Sequence, residues 1–184
     1  MKKAYVVGTF DTKAEELSYV AELIRASGTT AVTVDVSSRP HGTAGGDISN
    51  AEVAKHHPKS PGFLGTTDDR GEAVTLMSEA LGEFLVGRDD LGGVIGLGGS
   101  GNTALVTAAM RRLPVGTPKL MVSTVASGDV APYVGPNDIT MVYSVTDVAG
   151  LNRISRAVLG NAAHAIAGMV AHPIPEPASQ KPTL

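Results

Sequence analysis

The chain has 184 residues, and its 15 Lys and Arg residues against 18 Asp and Glu residues give a formal net charge of −3 at pH 7. That balance argues against a nucleic-acid partner, because such domains usually carry a basic excess or patch, and the absence of cysteine excludes disulfides, thiolate zinc sites and cysteine nucleophiles. No stretch reaches the roughly 18 uninterrupted apolar residues of a membrane span, so we expect a cytoplasmic protein without a membrane partner.

The first part of the chain opens with one βαβ unit. Residues 4–7 form a short apolar run that ends at Gly8, which predicts a buried parallel strand. Apolar residues recur at helical spacing over 12–27, and Gly28 is placed to end that helix. Residues 31–36 predict a second strand. Residues 37–68 are less regular and favour loops, with a short helix over 48–56.

The remaining residues continue the alternation of helices and strands. We predict strands over 94–97, 119–124 and 139–143, and helices over 70–86, from the turn at 98–101 to 112, and over 151–171, where His164 should pack in the core. This order predicts an α/β fold of the Rossmann-like type, with a parallel sheet and helices on both faces. Two lobes, 1–65 and 66–172, or one single sheet would both satisfy the pattern.

Residues 173–184 hold four prolines in twelve residues. That composition is typical of a linker, so we expect a Pro-rich linker to a C-terminal domain absent from this chain. A frayed natural terminus is the alternative.

The first candidate binding loop follows the first strand and opens the first helix. Its sequence is Gly8-Thr9-Phe10-Asp11-Thr12-Lys13. Free backbone N–H groups and the helix dipole attract an anion at such a position, the two threonine hydroxyls can donate, and Lys13 can meet a phosphate. In the alternative interpretation, Asp11 or Thr12 simply caps the helix.

The second candidate loop follows the strand over 94–97 and matches G-x-G-x-x-G in a strand–turn–helix context. Its glycines allow a phosphate to approach the main chain, and packing of a tight turn is the alternative. A dinucleotide site would want an acid at the end of the next strand, which ends in Ser123-Thr124, so an NAD site is disfavoured. The candidate phosphate ligands are Gly98, Gly99, Ser100, Gly101, Asn102 and Thr103.

Two further groups of polar residues lie at strand ends. Ser123, Thr124, Ser127 and Gly128 can complete a phosphate or ribose site, and Asp129 can hold Mg²⁺ or only brace its loop. Asp35 ends the second strand, where a ribose-binding acid belongs. It can equally well satisfy backbone donors.

These motifs resemble those of the Tm-one-like ATP-binding domain family. The matching stretches are 8–13 with Glu16 and Leu17, 96–103, 122–128, 132–135 and 144–152, and they extend over most of the chain from 5 to 172. The resemblance implies a nucleotide-binding region of two α/β lobes, with ATP and Mg²⁺ in a cleft between the loops at 8–13 and 96–103. It also implies a barrel-like C-terminal domain in the same polypeptide and a homo-oligomer, namely a dimer.

We therefore predict an ATP-binding N-terminal module of a larger two-domain protein. One alternative is the nucleotide-dependent half of an enzyme that acts on a small phosphorylated or carboxylated metabolite. A second is a protein-interaction module that the nucleotide stabilises. No general base or arginine finger can be assigned from the sequence, so the catalytic residues, and whether the protein is an enzyme, stay open.

Overall fold

The structure, a computed structural model, describes residues 1–42, 45–147 and 149–175. Most of the predicted Pro-rich linker, residues 176–184, therefore lies outside the described residues. The elements are β1 (Lys3–Gly8), α1 (Phe10–Ala26), β2 (Ala31–Asp35), α2 (Asn50–Ala54), α3 (Arg70–Val86), β3 (Leu91–Gly98), α4 (Ser100–Met110), β4 (Lys119–Ser123), α5 (Ala131–Val134), β5 (Thr140–Tyr143) and α6 (Arg153–Ala171).

All five strands lie parallel in one sheet with the order β2-β1-β3-β4-β5. The predicted α/β fold is confirmed. Because β1 pairs with β3, the strands of residues 1–65 and of residues 66–172 share this sheet, and the single sheet is the alternative that the structure has. The strand order changes direction between β1 and β3, and open α/β sheets bind ligands beside such a point, beyond the carboxyl ends of the strands.

Helices cover both faces of the sheet. Because successive strand residues point to opposite sides, each strand places side chains against both layers of helices. In β1, Tyr5 and Val7 pack on the face covered by α3 and α4, and Ala4 and Val6 pack on the face covered by α1 and α6. All four side chains are almost completely buried. β1 is therefore a central strand, and its carboxyl end is held rigidly from both sides.

Three sequence predictions differ from the structure in detail. The first helix begins at Phe10, two residues before the predicted start, and α5 was not predicted. His164 was expected in the core but is exposed. Its helix buries Leu159, Ala162, Ala163, Ile166 and Ala167, and His164 lies on the opposite side of this stripe. Among the described residues, no helix is both long enough and apolar enough to cross a membrane.

Candidate functional site

A cleft of about 590 Å³ lies at the carboxyl edge of the sheet, beside the change of strand order. The loops after β1, β2 and β3, the beginning of α3 and the loop between β5 and α6 contribute its walls. It is lined by Thr9, Asp11, Thr12, Lys13, Val36, Ser38, Arg39, Arg70, Val74, Gly99, Ser100, Gly101, Asn102, Leu105 and Asp147. The structure thus brings together the two predicted binding loops.

The beginning of α1 forms one wall of the cleft. Thr9 is the N-cap residue, so neither Asp11 nor Thr12 caps the helix, and the Thr9 side chain makes no cap hydrogen bond. The first two amides of the helix are nevertheless taken from outside it, because the Phe10 amide donates to Asp35 Oδ1 at 3.2 Å and the Asp11 amide donates to Ser37 Oγ at 3.3 Å. The Thr9 and Thr12 hydroxyl oxygens lie 2.9 Å apart. Lys13 departs from helical geometry (φ −137°, ψ 24°), which kinks the first turn where it borders the cleft.

The glycines of the two loops fall into two groups. A Cβ on Gly8 would lie 2.8 Å from Leu17 Cδ2, and one on Gly98 would lie 2.7 Å from Asn102 Cβ, so packing requires glycine at both positions. By contrast, a Cβ on Gly99 would meet nothing closer than Thr124 Oγ1 at 3.7 Å, and one on Gly101 would meet nothing within 4 Å.

Neither of these last two glycines has a positive φ that would favour glycine. Packing and backbone conformation therefore explain Gly8 and Gly98 and leave Gly99 and Gly101 unexplained. What a glycine provides at an open helix start is close access to the backbone amides.

Gly99 is the N-cap residue of α4 and has no side chain with which to cap it. In contrast, α2, α3 and α6 are capped by the side chains of Ser49, Asp69 and Asn152. In α1, the side chains of Asp35 and Ser37 accept from the first two amides. Of the two helices whose N-termini carry the predicted loops, α4 therefore leaves its first-turn N–H groups without a side-chain acceptor in the described residues. These groups, together with the positive end of the helix dipole, favour an anion.

Two hydroxyl residues of the prediction hold the α4 turn and do not line the cleft. Thr103 and Ser123 are both fully buried. The Thr103 hydroxyl donates to the Gly99 carbonyl oxygen at 2.8 Å, and it lies 2.6 Å from the Ser123 hydroxyl, which accepts from the Val125 amide. These bonds fix the end of β4 against the beginning of α4.

The other residues from the β4 loop lie away from the cleft lining. Ser127, Gly128 and Asp129 are exposed, and Thr124 is partly buried, with its amide donating to Gly98 O. The Asp129 carboxylate accepts from the Ala131 amide at 3.0 Å, which braces the loop as the alternative interpretation proposed.

Asp35 is not at the cleft surface either. Only 1% of it is exposed, and both carboxylate oxygens are occupied: Oδ1 accepts from the Phe10 amide and from the Ser37 amide and hydroxyl, and Oδ2 lies 2.7 Å from His41 Nε2. This carboxylate joins the end of β2 to the beginning of α1.

Sequence reasoning missed several residues that line the cleft, chiefly Arg39, Arg70 and Asp147. Arg39 follows β2 and donates to the Asp68 carbonyl oxygen at 2.8 Å, and Arg70 is the first residue of α3. Arg39 lies in the irregular region of 37–68, and Arg70 begins the predicted helix directly after it. The available signal in the sequence was Ser38-Arg39, a small polar residue and a basic residue shortly after the end of a predicted strand.

Asp147 lies in the loop between β5 and α6, which is clamped from both sides. Val145 has φ 66°, and the Thr146 amide donates to the Ser144 carbonyl oxygen at 2.7 Å, a γ-turn that is strained for a β-branched residue. At the far end, the buried Glu16 carboxylate accepts from the Gly150 amide at 2.6 Å. These contacts hold the Asp147 segment against α1.

A metal centre made only of protein ligands has no support. Among the described residues, no group of three or more His, Asp or Glu side chains is placed to share an ion. Asp11 and Asp147 are the two carboxylates that line the cleft. Carboxylates in ones and twos, completed by phosphate oxygens and water, are the usual ligands of Mg²⁺ in nucleotide sites.

Comparisons with known proteins identify the family to which the chain belongs. The model of the uncharacterised protein family (UPF0261) N-terminal domain matches residues 2–175, and the chain belongs to this family. A UPF0261 protein of Rhizobium meliloti is 53% identical over 98% of the chain, and one of Clostridium tetani is 42% identical over 100%. The tomato protein described as ToMV resistance protein Tm-1(GCR237) is 40% identical over 91% of the chain, which confirms the Tm-one-like resemblance.

The relatives are longer than this chain. It covers 45% of the R. meliloti protein, 46% of the C. tetani protein and 25% of the tomato protein. The chain thus spans about half the length of its bacterial relatives or less.

Proposed function

We propose that this UPF0261 N-terminal domain binds ATP together with Mg²⁺ in the cleft at the carboxyl edge of the sheet. The observation that carries the proposal is helix α4, which begins at the cleft without a side-chain cap, with Gly99 and Gly101 leaving its first-turn amides open. A phosphate group is a ligand that an open helix N-terminus favours, and the loop before α1 adds the side chains of Thr9, Thr12 and Lys13 to the same cleft.

The phosphates would lie on the first turn of α4, with its backbone amides as donors. The Thr9 and Thr12 hydroxyls and the Lys13 ammonium group lie on the opposite wall and can bind the same phosphates. Asp11 and Asp147 are the residues that fit Mg²⁺, because both line the cleft beside these groups. The ion would neutralise phosphate charge, and the two carboxylates would hold it in place.

The remaining wall suits the nucleoside. Val74, which is partly buried, supplies an aliphatic surface on the side of the cleft towards α3, whereas Val36 and Leu105 lie beneath the lining with 0% and 2% exposed. No aromatic ring lines the cleft in the part of the chain that the structure describes, so a base would pack on Val74. The volume of about 590 Å³ is within the usual range of about 300–1,000 Å³ for small-molecule sites.

Titration calorimetry of the chain with ATP and Mg²⁺, with GTP and NAD as competitors, tests the proposal. Lys13→Gln should weaken ATP binding about tenfold, because it removes one charge from the phosphate wall. Lys59→Gln is the matched control: it changes the net charge equally at an exposed position outside the cleft. Saturable ATP binding that Lys13→Gln alone weakens supports the proposal, whereas no ATP binding, or an equal loss in both variants, contradicts it.

The half-enzyme alternative is favoured by the length of the relatives, which leaves room for a further domain in the same polypeptide. On that reading, turnover of ATP requires the longer protein, and this chain alone binds without hydrolysing. The barrel-like nature of that domain, the dimer, the cytoplasmic location and the interaction-module alternative stay predictions. Phosphate release assays on a full-length relative and on this chain distinguish binding from turnover.

A further inference from the structure

We infer that Arg39 and Arg70 form a second oxyanion site in the cleft, which takes the carboxylate or phosphate group of a small second ligand beside the nucleotide. This inference rests on the proposed function for the nucleotide itself. It starts from the environment of the two guanidinium groups. Both line the cleft, and neither is paired with a carboxylate as Arg25 and Arg112 are.

Neither arginine has a carboxylate partner in the described parts of the chain, although acids are close in sequence. Arg39 donates only to the Asp68 carbonyl oxygen, and Arg70 makes no hydrogen bond or ion pair there. Elsewhere Arg25 and Arg112 each pair with a carboxylate, at 3.0 and 2.7 Å. Arg88, Arg111, Arg153 and Arg156 also lack a carboxylate partner in the described residues, but of all these arginines only Arg39 and Arg70 line the cleft.

Two of the nearby acids, Asp69 and Glu72, are engaged in other bonds. The Asp69 carboxylate caps α3 by accepting from the amides of Gly71 and Glu72, at 2.7 and 3.1 Å. The Glu72 carboxylate accepts from the Thr67 hydroxyl at 2.5 Å. Because Asp69 occupies the amides of α3, the guanidinium groups and not the helix end would bind an anion here.

The position of the two arginines separates this site from the phosphate site. Arg39 follows β2 and the α4 turn follows β3, and β1 lies between these strands. Neighbouring strands are about 4.8 Å apart, so the two loops begin about 10 Å from each other. A guanidinium group binds carboxylate or phosphate through two parallel hydrogen bonds, and the bond to the Asp68 carbonyl oxygen already orients Arg39 at the cleft.

Val74, which lies one helical turn after Arg70 and is a partly buried residue of the cleft lining, favours a ligand whose oxyanion is attached to a small carbon skeleton. The site therefore fits a small carboxylate or a phosphorylated metabolite. Inorganic phosphate and succinate are suitable probes, one for each oxyanion.

The test is a calorimetric titration of the chain with each probe after saturation with Mg²⁺ and a non-hydrolysable ATP analogue. Arg70→Gln should weaken binding of the preferred probe at least tenfold. Because Arg70 has no partner among the described residues, the melting temperature should not fall. Arg153→Gln is the matched control: Arg153 is also an exposed first residue of a helix that follows a side-chain cap, and it lies outside the cleft lining. Arg39→Gln together with Arg70→Gln should abolish the binding.

The outcomes separate the two proposals. Loss of probe binding in Arg70→Gln, with affinity for the ATP analogue within threefold of the wild type, supports the second site. If Arg70→Gln instead weakens the ATP analogue tenfold, both arginines belong to the nucleotide site and the inference is wrong, while the proposed function stands. If neither probe binds, or Arg153→Gln weakens the probe equally, the inference is also wrong. If the wild type binds a probe through Arg70 but no nucleotide, only the proposed function fails.

Discussion

Replacing Gly99 by Asp should stabilise the unliganded protein and abolish ATP binding at the same time. The position accepts a side chain, because φ is −83° and a Cβ would meet only Thr124 Oγ1, at an ordinary distance of 3.7 Å. As an N-cap residue, Asp stabilises a helix by a few tenths of a kcal/mol more than Gly does, and its negative charge near the helix start adds about 0.3–1 kcal/mol of stability. We expect a gain of about 0.5–1 kcal/mol, or roughly 2–3 °C in melting temperature.

The same carboxylate opposes the ligand. At about 5 Å from a phosphate and an effective dielectric constant of about 20, each unit of phosphate charge is repelled by about 3 kcal/mol, which corresponds to more than a 100-fold loss of affinity. Gly99→Asn is the control, because Asn caps as well as Asp and carries no charge. Gly99→Asn should bind ATP somewhat more weakly than the wild type, because the Asn side chain occupies the first-turn amides of α4. Gly99→Asp should bind ATP much more weakly still, because its carboxylate also repels the phosphates.

Calorimetry with ATP and Mg²⁺, together with thermal unfolding followed by circular dichroism, measures both effects. The reasoning is refuted if Gly99→Asp binds ATP within threefold of the wild type, because no phosphate can then lie on the α4 turn. It is also refuted if Asp and Asn lose affinity equally, since charge would then play no part.

Three further predictions concern stability. Burial and the hydrogen bond to Asp90 raise the pKa of Tyr5 to about 12, so the folded protein prefers the neutral phenol. The contribution of Tyr5 to the free energy of unfolding is therefore complete below pH 10 and is lost as the pH rises towards 12. Denaturant titrations should show this decline for the wild type and not for Tyr5→Phe. Val145→Gly should raise the melting temperature by about 2–4 °C, because it relieves about 1 kcal/mol of strain at a positive φ and the side chain is 54% exposed. Asp138→Asn should lower the free energy of unfolding by about 1 kcal/mol at pH 7, because the buried Lys119 ammonium group loses its charged partner at 2.7 Å; this value is discounted for the partial exposure of the carboxylate. The hydrogen bond from Lys119 lowers the pKa of Asp138, so the carboxylate stabilises the fold at neutral pH and loses this effect when it is protonated. In denaturant titrations, the difference between variant and wild type should therefore disappear as the pH falls below about 4.

The fold was largely predictable because, along most of the chain, the spacing of hydrophobic residues and the positions of glycines predict the same helices and strands. Residues 70–86 are predicted as a helix and form α3 with the same bounds, and four buried runs became four of the five strands close to their predicted ends. The fifth strand, β5, was predicted over 139–143 and is also present, as an edge strand whose side chains are partly exposed. The number of sheets was not predictable, since strand pairing depends on contacts between residues far apart in the chain, such as Val6 with Ile95.

The candidate site was predictable where it is made of helix starts and unpredictable where it is made of irregular chain. The loops at 8–13 and 96–103 carry local signals, a strand end followed by glycine and a helix, and both line the cleft. Arg39 reaches the same cleft from an irregular loop, and Arg70 reaches it from the beginning of α3, which that irregular region positions. Their placement depends on tertiary bonds, such as the one from Arg39 to the Asp68 carbonyl oxygen.

Asp35 shows why residue type and strand position are insufficient to assign a ligand-binding acid. A carboxylate at the end of β2 can bind a ribose only if one oxygen faces the cleft, and here Ser37, His41 and the Phe10 amide occupy both. Glu16, also buried, holds the Asp147 loop through the Gly150 amide. Because a buried carboxylate must have its oxygens satisfied by protein donors, these two acids position the walls of the cleft, and its exposed acids, Asp11 and Asp147, are left to contact a ligand.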